Sequence, residues 1–355
     1  MCVTGASSSI FWLGLALTIA ACGGSTHKEL PPVSDAAAPN GGDASTPSDG
    51  EEADGETTAD AEDGDPPELD FGAIGKPVLV ANRFSFTEGP VWDPVRNVLF
   101  FTDIDGSKVY RHTPPDQFEV VIDGAGAPNG LALDTSGRLL VAGFGARNVW
   151  RWREPEIDVL TDNYQGAKLN SPDDLVVRAD GTVYFTDPTY GIDGTNGPKG
   201  NAELDFMGVF RIAPDGAIFL EDATKSDPNG VSLSPDERTL FVSYTSAREV
   251  DAFDIAADGS LSGKRPFGSG LLVPDGMTID RRSNVYVAVL GGIAVLRPDG
   301  ALLGTIAMPQ WPANCAFGGV DQKTLFITAR NAAGAKAGAL YRIDDMPIAG
   351  VAGQP

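Results

Sequence analysis

Glu88, Asn129, Asp173, Asn229 and Asp275 each open a short phrase of one form: EGPVWD, NGLALD, DDLVVR, NGVSLS and DGMTID. A sixth phrase, ANCAFG, opens on Ala313, and the intervals between the six openings are 41, 44, 56, 46 and 38 residues. If the phrases are equivalent strands around one axis, their first side chains face one another at one mouth of a channel. Three of them are acids, and converging carboxylates repel unless a cation sits between them. Oxygen donors without His or Cys select calcium, or magnesium or manganese, over copper. Asn-Gly and Asp-Gly are also common turn dipeptides, so Asn129, Asn229 and Asp275 taken singly read equally as turn formers. Glu88 has no turn preference and favours the ligand reading, whereas Ala313 shows that the position does not demand a polar residue.

The elements that must position this ring are short, apolar or alternating runs rich in Val, Ile, Phe and Tyr, bounded by Gly, Pro, Asp and Asn. After each opening phrase comes a second run, NVLFFTD, RLLVAGF, TVYFTDP, TLFVSYT, NVYVAVL and TLFITAR. A third follows, KVYRHTP, NVWRWRE, GVFRIAP, EVDAFDI, GIAVLRP and ALYRIDD. A weaker fourth run follows only five of the six, as FEVVID, IDVLTD, AIFLED, KRPFGS and LLGTIAM. The missing copy stands in front of the first repeat, as KPVLVAN at 76–82. Repeats of this length with four strands predict an all-β, six-bladed propeller. The N-terminal strand is expected to pair into the last blade and close the ring, leaving no exposed sheet edge.

The ordered set TEGPVWD, LNSPDDLVV, YFTDPTYG, PNGVSLS, PDGMTID and FGG resembles the SMP-30/gluconolactonase/LRE-like family over residues 84–330 or so. That resemblance implies a divalent ion, Ca2+ or another such as Mg2+, Mn2+ or Zn2+, held by Glu88, Asn229 and Asp275. The blade-three ligand of similar proteins is an Asn of an Asn-Asp pair; here Asp173 holds that register, with Asn170 nearby in NSPDD as the alternative. Asp173 is favoured as the ligand, and Asn170 as a residue that binds substrate or supports the ligands from behind. Asn129 reads as a turn residue or substrate contact rather than a ligand.

The 56-residue interval carries its extra length in residues 187–207, between the second and third strands of the third repeat. In this strand order such loops overhang the ring, so the segment is a candidate lid, with Asp187 and Tyr190 at its base as pocket residues. Arg147 and Arg330 fall in loops of the same face and are candidates for binding a carboxylate or hydroxyls. The activity implied by resemblance is opening of a sugar or other hydroxylated lactone, a small-molecule substrate. An ion would polarise the carbonyl, with Asp275 as general base or nucleophile. A non-enzymatic propeller binding a ligand or partner around a structural ion, and an ester or organophosphate hydrolase, remain alternatives.

The rest of the chain bounds these readings. Residues 9–21, SIFWLGLALTIAA, are too short for a comfortable membrane span and suit a secretory segment ending in IAAC, with Cys22 the residue to be lipidated. Residues 1–22 are read as that signal, although no Lys or Arg precedes the apolar run. Residues 23–70 hold 14 acids and one Lys among Ala, Pro, Gly and Ser, a composition that cannot bury a core and reads as a tether. The expected propeller is 71–347, with a tail at 348–355. The protein is therefore expected to be exported and to meet a bacterial membrane only through a lipid anchor. Taking the tether's −13 from the whole-chain −23 leaves −10 for residues 71–355, which disfavours nucleic-acid binding. Cys315 is the lone cysteine of that region, so neither a disulfide nor a zinc cluster is available there. His112, its lone histidine, is expected on the surface, and a His-based triad is excluded by composition.

Overall fold

The computed structural model describes residues 68–194, 199–330 and 337–353. The predicted signal, Cys22 and all of the tether before Glu68 lie outside these described residues. Among the described residues, apart from a single 3-10 turn at Phe71–Ala73, every regular element is a β-strand. Among the described residues no helix is long and apolar enough to cross a membrane.

Six four-stranded antiparallel sheets form the blades of a propeller. Blade one holds Thr87–Asp93, Val98–Asp103, Lys108–Thr113 and Gln117–Asp123. Blade two starts at Leu131–Leu133, blade three at Leu175–Val177, blade four at Pro228–Leu233, blade five at Met277–Ile279 and blade six at Trp311–Gly318. The outermost strand of blade six is the N-terminal Val78–Phe84, paired antiparallel with Gly338–Ile343. Ring closure therefore occurs as the displaced fourth repeat required. A two-stranded hairpin, Asn163–Tyr164 with Ala167–Lys168, sits between blades two and three and was not foreseen.

Alternation along each strand sends one face to each neighbouring blade, which is why both faces are apolar. In blade one, Val98 and Phe100 pack toward Leu131, Val141 and Trp150 of blade two. Leu99 and Phe101, from the same strand, pack toward Phe326 and Leu340 of blade six. Six such clusters fill the six blade interfaces.

Residues on both sides of 71–347 also pack against the blades. Leu69, assigned to the tether by composition, is buried among Tyr286, Phe317 and Ile327 between blades five and six. Asp70 caps the 3-10 turn by accepting from the Gly72 amide at 2.9 Å. Near the C-terminus, Gly350 bridges to Asp280 and its amide donates to Gln322 O at 2.9 Å. His112 is a correction: it is fully buried, stacked on Phe118 with ring centroids 4.4 Å apart. It lies on the inward-facing side of an alternating strand, and burial lowers its pKa, favouring the neutral ring.

Candidate active site

The six ring residues stand at the openings of the innermost strands. In blades one, four and six the pairing register shifts there, between Glu88 and Val91, Pro228 and Val231, and Pro312 and Asn314. A bulge at this point bends the strand and re-aims the side chain at its start. In blades two, three and five the ladder begins only after Asn129, Asp173 and Asp275.

Hydroxyl groups on the second strands stitch these openings together. Thr102 Oγ1 donates to Asn129 O at 2.9 Å, Thr186 Oγ1 to Asn229 O at 2.6 Å and Ser243 Oγ to Asp275 O at 2.8 Å, each reaching the next blade. Blades two and five carry Ala142 and Ala288 at the equivalent place. There the ring glycine amide makes the link, Gly130 N to Asp173 O at 2.8 Å and Gly276 N to Ala313 O at 2.9 Å. The glycine after the ring residue is therefore needed for close approach between blades, not for a turn. A Cβ on Gly89 would fall 2.2 Å from Asn129 O, and its φ of +43° is itself unfavourable for an L-residue.

Glu88, Asn129, Asp173, Asn229 and Asp275 line one cavity of about 90 Å3. Its walls are Phe86, Ile104, Phe144, Tyr190, Thr245, Val273 and Arg330. Ile104, Phe144, Tyr190, Thr245 and Arg330 come from the ends of second strands or the loops just after them, the face on which those loops were expected. All five floor residues are nearly buried, the most exposed being Asp275 at 8%.

Burial, then the charges of Asp275 and Asp173, raise Glu88 well above the usual carboxylate range. Asp173 is raised in the same way by burial and by Asp275 and Asp174. Asp275 is pushed up to about 6 by burial, against a lowering by Arg330 and by a hydrogen bond from Asn229. Among the described residues no three Asp, Glu, His or Cys side chains form a ready-made ligand group. The donor set nevertheless fits a hard divalent cation: three mutually repelling carboxylates and one amide oxygen, with Arg330 the only cationic side chain lining the cavity among the described residues.

Other predicted site residues stand elsewhere. Asn170 and Asp187 lie fully buried behind the wall rather than in the pocket. The Asp187 carboxylate accepts from the amides of Asn170 and Ser171, both at 2.8 Å. Asn170 Nδ2 donates to Phe206 O at 2.9 Å. These bonds brace the backbone leading into Asp173. Asp173, not Asn170, reaches the pocket. Arg147 is also turned away, its Nε donating to Leu169 O at 2.7 Å and Asn170 O at 3.0 Å. Of the candidate lid, Tyr190 lines the pocket, while residues 195–198 lie outside the described residues.

Sequence reasoning missed Asp174 and the apolar collar of Phe86, Ile104, Phe144 and Val273. Asp174 is 1% exposed and pushed up to about 7 by burial. Its only signal was the doubled acid of DDLVVR, where register assigned Asp173 to the channel and gave Asp174 no role.

A six-bladed propeller with an all-oxygen acidic floor at one channel mouth is the class of protein defined by this fold and site. Residues 86–331 match the SMP-30/gluconolactonase/LRE-like region, and the chain belongs to that family. It is 34% identical over 281 residues to a gluconolactonase of Zymomonas mobilis, covering 71% of this chain and 78% of that protein. A solved gluconolactonase from Xanthomonas campestris superposes with a TM-score of 0.71 at 32% identity, covering 79% of this chain and 95% of the other. Regucalcin of Xenopus laevis is 25% identical over 294 residues, covering 77% and 95%.

Proposed function

We propose that this protein is a divalent-metal-dependent lactonase that opens a sugar or other hydroxylated lactone. The observation that carries the reading is the convergence of Glu88, Asp173, Asn229 and Asp275 on one cavity floor. The gluconolactonases among its relatives support the substrate class.

Glu88, Asp173, Asn229 and Asp275 would hold the ion, Ca2+ or another hard divalent cation. When bound, it supplies Lewis-acid polarisation of the lactone carbonyl and acidifies the attacking water. Asp275 takes the proton from that water as its oxygen bonds to the carbonyl carbon. The same proton passes to the ring oxygen as the acyl C–O bond breaks, giving a hydroxy acid. Asn229 hydrogen-bonds Asp275 and donates from Nδ2 to Thr245 Oγ1 at 3.2 Å, which fixes the orientation of both groups. Asn129 and Tyr190, which line the cavity, would contact substrate hydroxyls, and the apolar collar would limit water access.

The test is a pH-stat assay of δ-gluconolactone opening. The Asp275→Asn protein is expected to lose at least ~100-fold in kcat, the usual span for a positioned general base. Undiminished turnover would remove Asp275 from that role. From the sequence we further propose export and lipid attachment at Cys22. Incorporation of labelled palmitate into the full chain, lost in Cys22→Ser, is the corresponding check.

A further inference from the structure

Arg330 ends the second strand of blade six and is the cross-strand partner of Trp311. Its guanidinium carbon lies 4.6 Å from the ring centroid of Trp311 and 4.6 Å from that of Phe86. The planar group is thus packed against two aromatic rings, one from blade six and one from the segment leading into blade one. This packing is itself anchored. Thr87 Oγ1, beside Phe86, donates to Ala339 O at 2.8 Å and accepts from the amide of Ala329, the neighbour of Arg330, at 3.1 Å. A guanidinium held against aromatic rings keeps N–H groups available for in-plane partners. Its Nε is buried and has no partner among the described residues. Arg330 also lines the cavity and acts electrostatically on Asp173 and Asp275.

Charge counting gives this arginine a second role. Glu88, Asp173 and Asp275 bring three negative charges, and a divalent ion leaves one unbalanced. Arg330 supplies the missing positive charge. The geometry points to Arg330 as a specificity-determining residue that neutralises the loaded floor and presents its fixed donor edge to an oxygen substituent of the lactone. This inference rests on the metal-dependent lactonase reading. It adds that the pocket discriminates by the oxygens carried on the ring, because an unsubstituted lactone offers that edge no acceptor beyond its two ester oxygens, which take part in the reaction itself.

Two measurements on Arg330→Met and Arg330→Lys test it. The first is the kcat/KM ratio for δ-gluconolactone over δ-valerolactone. In Arg330→Met the ratio is expected to fall tenfold or more, mainly through KM for the hydroxylated substrate. Arg330→Lys is expected to leave the ratio low, since an ammonium lacks the planar fork. The second is calcium affinity of the metal-stripped protein by calorimetry. Removing a positive charge beside the donors should tighten binding by roughly threefold to tenfold in Arg330→Met, and Lys should return it to the wild-type value. A merely structural arginine would weaken calcium binding in both variants or in neither. An unchanged ratio in Arg330→Met overturns the recognition role, and unchanged or weakened calcium affinity overturns the charge role. If the wild-type protein opens neither lactone, the lactonase reading and recognition role fail together, while calorimetry still decides the charge role.

Discussion

Asn314 Nδ2 donates to Asp174 Oδ2 at 3.4 Å, joining blade six to blade three straight across the central channel. The same carboxylate accepts from Leu175 N at 2.9 Å and Val231 N at 3.4 Å, so one side chain ties three blades beneath the acidic floor. A Cβ on Gly276 would lie 2.0 Å from Asn314 Cγ, so the Asn314 side chain leaves no room for one there.

Asp174→Ala should therefore destabilise the fold by about 1–3 kcal/mol, the cost of leaving buried donors without an acceptor. Asp174→Asn keeps an acceptor for one of these amides and should cost less. Equilibrium denaturation in urea gives both values.

The raised carboxylates set the pH dependence of the metal-free protein. Asp174 and Asp187 are pushed up to about 7 and Asp275 to about 6, against about 3.8 for a free Asp. Between pH 4 and 7 the folded state binds more protons than the unfolded chain, so stability falls as pH rises through that window. Calcium reverses the sign at the floor, because the ion binds the ionised carboxylates. Melting curves are expected to show Tm falling from pH 5 to 8 in chelator, and a calcium-induced increase in Tm that grows with pH.

Gly89→Ala places a methyl group against Asn129 O and holds an L-residue at φ +43°. A loss of at least ~2 kcal/mol is expected, with reduced calcium affinity because Glu88 is displaced. Thermal melts and calorimetry on the same sample check both parts.

Asp187→Asn removes one of the two acceptors that brace the backbone before Asp173. It should lower calcium affinity by about 10-fold or more, the usual cost of disturbing a group that orients a ligand. Tyr190→Phe, by contrast, touches the wall alone and should raise KM a few-fold while leaving calcium affinity intact.

The propeller was legible because its repeats are local. Alternating runs, bounding turns and the displaced strand at 76–82 each follow from backbone periodicity. The ring was legible for the same reason, since one register position sampled six times exposes Glu88 and Asp275 together. The residues that escaped depend on contacts between blades. That Asp174 bonds to blades four and six beneath the floor, and that Asp187 faces two backbone amides rather than a ligand, is decided by neighbours distant in sequence. His112 shows the same limit: alternation put it on one face of a strand but did not say that Phe118 covers that face.

The central claim joins metal binding to turnover at one floor, and one titration addresses it most directly. Metal-stripped protein is titrated with calcium while binding and δ-gluconolactone opening are followed in parallel. The account predicts no turnover above the uncatalysed rate without the ion, then a rise that coincides with occupancy of a single site and is lost in Glu88→Gln. Full turnover in excess chelator, or activity that rises independently of that site's occupancy, would contradict it.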